Sequence, residues 1–76
     1  MKSYLEYIER KPIVMMGKPV IKGTRITVEL IIRKLAGGYN AAQLLEAYPQ
    51  LNMEQIKAAL EYAADIIANE DLIEAA

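Results

Sequence analysis

The sequence predicts a mainly helical domain, with three short helices in a helix-turn-helix-like core that follow a short N-terminal β-hairpin or ribbon. Three observations carry that prediction. Apolar residues recur at helical spacing from Val28 onward, each of the three periodic segments opens on a residue suited to capping, and the region before them alternates Gly and Pro with β-branched pairs.

The ribbon comes first. Pro12, Gly17, Pro19 and Gly23 punctuate Ile13-Val14-Met15-Met16 and Val20-Ile21, which is strand and turn chemistry. The two-residue connection Gly17-Lys18 fits a type II′ hairpin turn with Gly first, and Pro19, which cannot donate to a ladder, is then expected at a strand start or edge. An isolated hairpin is marginal, so it is expected to pack on the helices, on a strand from around Tyr4 to Ile8, or on a second copy.

From Thr27 the period changes. Val28, Ile31, Ile32 and Leu35 follow the i, i+3, i+4, i+7 template, with Thr27 as N-cap, Glu29 near the positive helix end and Gly37-Gly38 as the stop, so helix one is expected over 27–36. Asn40 caps a second helix with Ala41, Leu44, Leu45 and Tyr48 on one face, ended by Pro49. Asn52 caps a third, with Met53, Ile56, Leu60, Ala63 and Ile67 as its apolar stripe and Ala68 near its end. Gln43 and Gln55 sit at N3 of the later helices, a variant of the capping box. Each start also carries an apolar pair across its cap: Ile26 with Ile31, Tyr39 with Leu44, Leu51 with Ile56. The expected organisation is one domain over residues 1–76: β-ribbon and Gly/Pro loop 1–26, tri-helical core 27–68 and C-terminal tail 69–76.

Composition narrows the function classes. A chain of 76 residues buries only about 60% of its unfolded surface, and without Cys or His it has neither disulfides nor the commonest metal ligand to compensate. A hydrophobic content of 54% then favours association, and a homodimer is expected. The missing imidazole and thiol also remove the commonest general base and nucleophile, so binding is expected rather than catalysis, with no cofactor, no metal and no small-molecule substrate. Gly17-Lys18-Pro19 and Gly23-Thr24-Arg25 lack the spacing of a phosphate-binding P-loop. Charge interrupts the apolar residues of positions 1–10 too often for a signal peptide, and no run is long enough for a membrane span, so a cytoplasmic location is expected.

Charge is lopsided along the chain. Residues 1–34 carry eight basic groups against three acidic ones, a balance of +5; residues 35–76 carry Lys57 alone against seven carboxylates, a balance of −6, which together return the net −1. Arg10, Lys11, Lys18, Lys22 and Arg25 on the ribbon are therefore the candidates for binding DNA or a partner, because paired ribbons from a dimer can enter a groove. The same cations could instead protect exposed sheet edges. Arg25 could reach a phosphate or a partner carboxylate with both guanidinium nitrogens, or brace its own loop against a helix end. Glu54, Glu61 and Asp65 form the candidate acidic partner face on helix three. That stripe, with Gln55, Lys57 and Ala58 also expected on the surface, makes helix three unsuited to read a DNA groove despite its helix-turn-helix position.

The stretch Gly17-Lys18-Pro19-Val20-Ile21-Lys22-Gly23-Thr24-Arg25-Ile26-Thr27-Val28, preceded by Pro12-Ile13 and followed by Leu44-Leu45, Tyr48-Pro49, Leu51, Leu60 and Tyr62-Ala63, strongly resembles the domain of unknown function 433 family over residues 7–64. Lys11 departs from the family pattern, where a small polar or acidic residue commonly precedes the Pro, and so does the Met15-Met16 pair. The resemblance implies a homeodomain-like or winged-helix-like tri-helical fold. It also implies an antitoxin-like role in a toxin–antitoxin pair, neutralising a PIN-like nuclease toxin and binding operator DNA. The alternative is a protein-interaction module that never touches nucleic acid. In the shared motif, Gly17, Pro19, Gly23 and Thr24 are expected to be structural turn residues.

Overall fold

A computed structural model describes residues 3–69; the predicted tail lies outside them apart from Asn69. Two strands, β1 (Ile8–Glu9) and β2 (Val20–Ile21), precede three helices, α1 (Val28–Ala36), α2 (Ala41–Ala47) and α3 (Met53–Ala68). A 3-10 turn at Ser3–Glu6 opens the described chain, and a second at Met15–Gly17 interrupts the connection between the strands. The fold is thus mainly helical with a small antiparallel sheet in front, as the periodicity predicts.

The sheet is not the hairpin expected from Gly17-Lys18. β2 pairs with β1, in the register Ile8 to Ile21 and Glu9 to Val20, while Ile13–Met16 forms no strand. Gly17 does take the positive φ its position invited, at 80°, but Met15 and Met16 before it also lie in the left-handed region, at 48° and 57°. Three left-handed residues in succession coil the chain rather than extend it. Backbone bonds from Val14 to Lys11, Gly17 to Val14 and Lys18 to Met15 close the coil. The expected strand around Tyr4 to Ile8 is displaced likewise: Ser3–Glu6 is a 3-10 turn, and only Ile8 and Glu9 are extended and paired.

The tight turn sits instead at Gly23. The Ile21 N–H donates to the Ile26 carbonyl at 3.0 Å, Val20 bridges Thr27, and Gly23 turns the chain with φ 77°. Thr24 holds this turn twice over, because its hydroxyl donates to the Ile21 carbonyl at 2.8 Å and accepts from the Ile26 N–H at 3.0 Å. β2 is therefore flanked on both sides, by β1 and by the residues entering α1, and its two side chains are fully buried.

The helix ends follow their sequence signals closely. The Thr27 hydroxyl accepts from the Leu30 N–H at 2.9 Å, and both Asn40 with Gln43 and Asn52 with Gln55 make the complete reciprocal capping box. Gly38, at φ 111°, ends α1: its N–H donates to Leu35 and the Tyr39 N–H to Lys34, the paired bonds of a Schellman motif. Of the three expected apolar pairs across the caps, Ile26 with Ile31 and Leu51 with Ile56 are wholly in the core. Tyr39 is not. It stays 38% exposed, with the Lys34 ammonium 5.0 Å from its ring centroid.

The core gathers Ile8 and Ile21 from the sheet, Val28 and Ile31 from α1, Leu44 from α2, and Ile56, Ala58 and Ala59 from α3. The expected stripe on α3 is corrected by rotation of the helix. Met53, Leu60 and Ile67 face outward, whereas Ala58, expected on the surface, is buried. The cause is the 3-10 turn at Ser3–Glu6, which packs on α3 from a side that helical periodicity does not anticipate. Tyr4 meets Tyr62 edge-to-face at 5.4 Å and donates its hydroxyl proton to Asp65 at 2.9 Å. The small Ala58 and Ala59 thus let α3 pack on two sides.

Truncation at the two kinds of α3 site should separate cleanly. Ile56→Ala is expected to cost about 2–5 kcal/mol and Leu60→Ala less than about 1 kcal/mol in urea denaturation. Comparable losses would mean that the helix is rotated the other way.

Candidate functional site

The five ribbon cations do not act as one group. Arg10 donates from Nε to the Gly17 carbonyl at 3.0 Å and so braces the coil before β2. Lys18 crosses to α1, where its ammonium donates to Glu29 Oε1 at 3.0 Å while Arg33 Nε donates to Oε2, also at 3.0 Å. The remaining three gather at the far end of the sheet. Lys11 and Arg25 line one hollow of about 320 Å³ with Glu9, Val14, Gly23 and Thr24, and Lys22 lies on the same tight turn. The side chains of Lys22 and Arg25 are exposed and make no hydrogen bond or ion pair among the described residues. Lys11 stands 3.8 Å from Glu9, a long and solvent-screened contact. Glu9 has a second use there, accepting from the Gly23 N–H at 3.3 Å.

The expected acidic face divides too. Glu54 and Glu61 share a cleft of about 180 Å³ with Glu6, Tyr7, Lys57 and Ala58. Sequence reasoning missed Glu6, because its place beside α3 depends on the 3-10 turn rather than on any spacing within the helix. Asp65 is held by the Tyr4 hydroxyl and serves to dock that turn. α2, its following turn and α3 do take the helix-turn-helix order, but α3 presents carboxylates where a groove-reading helix needs cations.

Of the apolar residues that periodicity places on buried stripes, Ile32, Ala63 and Ile67 line an open groove. An apolar groove of about 470 Å³ runs between α1 and the second half of α3, with Val28, Ile32 and Ala36 on one wall and Ala63, Ile66 and Ile67 on the other. The signal for it was in the sequence: Ile66 is an apolar residue in excess of the stripe Met53, Ile56, Leu60, Ala63 and Ile67.

Over residues 8–63 the chain matches the model of a family described as protein of unknown function, DUF433. The chain belongs to the DUF433 family. A crystal structure of a DUF433 member from Anabaena variabilis ATCC 29413 superposes with a TM-score of 0.79 at 28% sequence identity, covering 87% of this chain and 69% of that one. An uncharacterized protein, y4eO, of Sinorhizobium fredii (strain NBRC 101917 / NGR234) is 36% identical over 58 residues, 76% of this chain. The chain spans about a quarter of that relative's length, the matched part being 26% of it. The matched region contains the whole sheet, the Gly23 turn, α1, α2, and α3 as far as Ala63 in this DUF433 chain. Among the described residues no helix is long and apolar enough to cross a membrane, and no group of three or more carboxylates could hold a metal ion.

The Lys18–Glu29–Arg33 network ties the ribbon to α1. Lys18 first and Arg33 second hold the Glu29 carboxyl below the usual carboxylate range. A lowered pKa in the folded state means that the stabilisation is present above the unfolded pKa and is lost as pH falls through the folded value. The carboxylate is partly exposed, so the effect is modest and screened by salt. In an NMR acid titration Glu29 should titrate below the ordinary glutamate range. Glu29→Gln should flatten the acid limb of stability against pH, and an unchanged limb would show that the network contributes nothing.

Proposed function

We propose that this DUF433 protein is an antitoxin-like regulator that acts by binding in the cytoplasm, not by catalysis. Its acidic cleft takes a basic surface of a PIN-like nuclease toxin, and its cationic turn contacts operator DNA. The observation that carries this reading is the separation of charge. Lys11, Lys22 and Arg25 collect at the turn end of the sheet, while Glu6, Glu54 and Glu61 collect between the first 3-10 turn and α3. Two surfaces of opposite sign suit partners of opposite sign, and each steers its own partner in and repels the other's.

A protein-interaction module without nucleic-acid binding is the second reading, and one observation favours it. Arg10 and Lys18 are occupied within the chain, which leaves three of the five ribbon cations for phosphates. Three suffice for a contact but give a shallow salt dependence. If two protomers bind through Lys11, Lys22 and Arg25, the slope of log K against log salt should be about −5, and Arg25→Ala in both should bring it near −4.

A gel-shift series with the protein's own upstream DNA measures this slope. Retardation that ignores salt, or none at low salt, would leave only the protein-interaction reading. For the acidic cleft, Glu54→Lys combined with Glu61→Lys should abolish co-purification with a nuclease-like protein encoded next to it while the slope on DNA persists. Undiminished co-purification would remove the cleft from the toxin contact.

A further inference from the structure

We propose that the coil between the two strands is a wedge that enters the minor groove of duplex DNA at a flexible base step and bends the duplex there. The proposal rests on the operator-DNA half of the reading above and gives that contact its mode. Ile13 is 91% and Met16 85% exposed, more than any other large hydrophobic residue among the described residues. Lone exposed apolar side chains are ordinary on a protein surface. These two stand three positions apart on a segment that the fold holds stiff. The Val14 N–H donates to the Lys11 carbonyl at 2.9 Å and closes a tight turn with Pro12 and Ile13 at its corner, where Pro fixes φ and a small polar residue usually follows. Met15 and Met16 then hold φ at 48° and 57°, a strain that no burial of Met16 offsets. Arg10 fastens the coil across its base through the Gly17 carbonyl. A strained, braced loop that turns its apolar side chains to solvent is arranged for contact rather than for stability.

The chemistry of the segment selects the partner. From Arg10 to Lys22 every side chain is either cationic or apolar, with Gly17 between them, and there is no carboxylate, hydroxyl or amide. Duplex DNA offers the matching pair of surfaces: anionic phosphates along the groove edges and apolar base faces within the stack. The side chains that proteins insert at a base step are Phe, Leu, Ile, Met and Pro, and the exposed tip here carries Pro12, Ile13 and Met16. Lys11 and Val14 of the coil line the same hollow as Arg25, so the wedge and the unpaired cation lie on neighbouring parts of one surface. A pocket on a protein partner would be rimmed by polar groups, for which the coil has only ammonium and guanidinium to offer. With no side-chain acceptor on the coil, preference among sequences comes from how readily the DNA deforms. TA steps unstack easily, whereas an A-tract is stiff.

Fluorescence energy transfer between the ends of two duplexes tests the proposal, both of equal length and base composition, one with TA steps at its centre and the other with an A-tract. The parent chain should prefer the TA duplex and bend it by at least about 20°. Ile13→Ser combined with Met16→Asn, asparagine being tolerant of left-handed backbone, should reduce the bend to about half or less and erase the preference. The slope of log K against log salt should stay within about one unit of the parent's, because the phosphate contacts remain. Both replaced side chains are almost wholly exposed, so thermal unfolding of the double variant should match the parent. Leu5→Ser, at a residue 58% exposed on the first 3-10 turn, is the control and should change neither bend nor preference. Three results overturn the wedge and leave DNA binding standing: binding without a bend, a bend unchanged in the double variant, or a preference for the A-tract, whose narrow groove attracts cations alone. No binding to either duplex at low salt overturns the operator-DNA reading and the wedge together. A double variant that loses a co-purifying protein yet bends DNA as the parent does assigns the coil to a protein contact and also overturns the proposal.

Discussion

Val20 and Ile21 have no exposed surface, and both edges of their short strand are occupied: β1 on one side, Ile26 and Thr27 on the other. In so small a chain that double pairing is the constraint from which the rest follows. A buried strand cannot leave its amides unpaired without a cost comparable to a lost hydrogen bond, so residues 8–9 and 26–27 must both come to it. Bringing 26–27 back within five residues requires a turn that only a left-handed residue allows, which is Gly23, held by the Thr24 hydroxyl. The same return delivers Thr27 to its place as the cap of α1. Strand pairing, turn and helix start are one device.

That device also places the charged groups. Because β1 and the Gly23 turn end together, Lys11 from the end of one and Arg25 from the other meet at a single hollow, although they are far apart in sequence. Because β1 directly follows the first 3-10 turn, the turn is carried onto α3 and Glu6 joins Glu54 and Glu61. The DUF433 motif that runs from Gly17 to Val28 is therefore first a folding element, and its cations inherit their positions from the backbone it sets. The strain lies just before it, where Met15 and Met16 accept left-handed conformations that such side chains resist. The Arg10 bond to the Gly17 carbonyl is part of what holds that coil in place.

A helix that packs on two sides has little surface left for solvent. α3 gives one side to the core and another to the first 3-10 turn, yet still exposes Met53, Leu60, Ile66 and Ile67. Part of the high hydrophobic fraction is therefore surface, on α3 and also at Leu5, Ile13, Met16 and Tyr39. The groove and the acidic cleft lie on different sides of α3, so a contact at one need not compete with a contact at the other.

By itself the sequence determined the three helices, their caps and their stops, because those depend on hydrogen bonds between residues at most a few positions apart: Thr27 to Leu30, Asn40 to Gln43, Asn52 to Gln55, and Gly38 releasing α1. It also determined the uneven division of charge along the chain. Tertiary structure decided which residues pair as strands, since the choice between a Gly17 turn and a Gly23 turn turned on whether β2 could also reach β1. It decided as well which face of α3 is buried, since periodicity reports that a face is apolar but not how many neighbours will compete for the helix. For the same reason the contacts of Arg10, Lys18 and Asp65 were not legible: a charged side chain shows its partner only when distant segments meet, and each of these three has one inside its own chain.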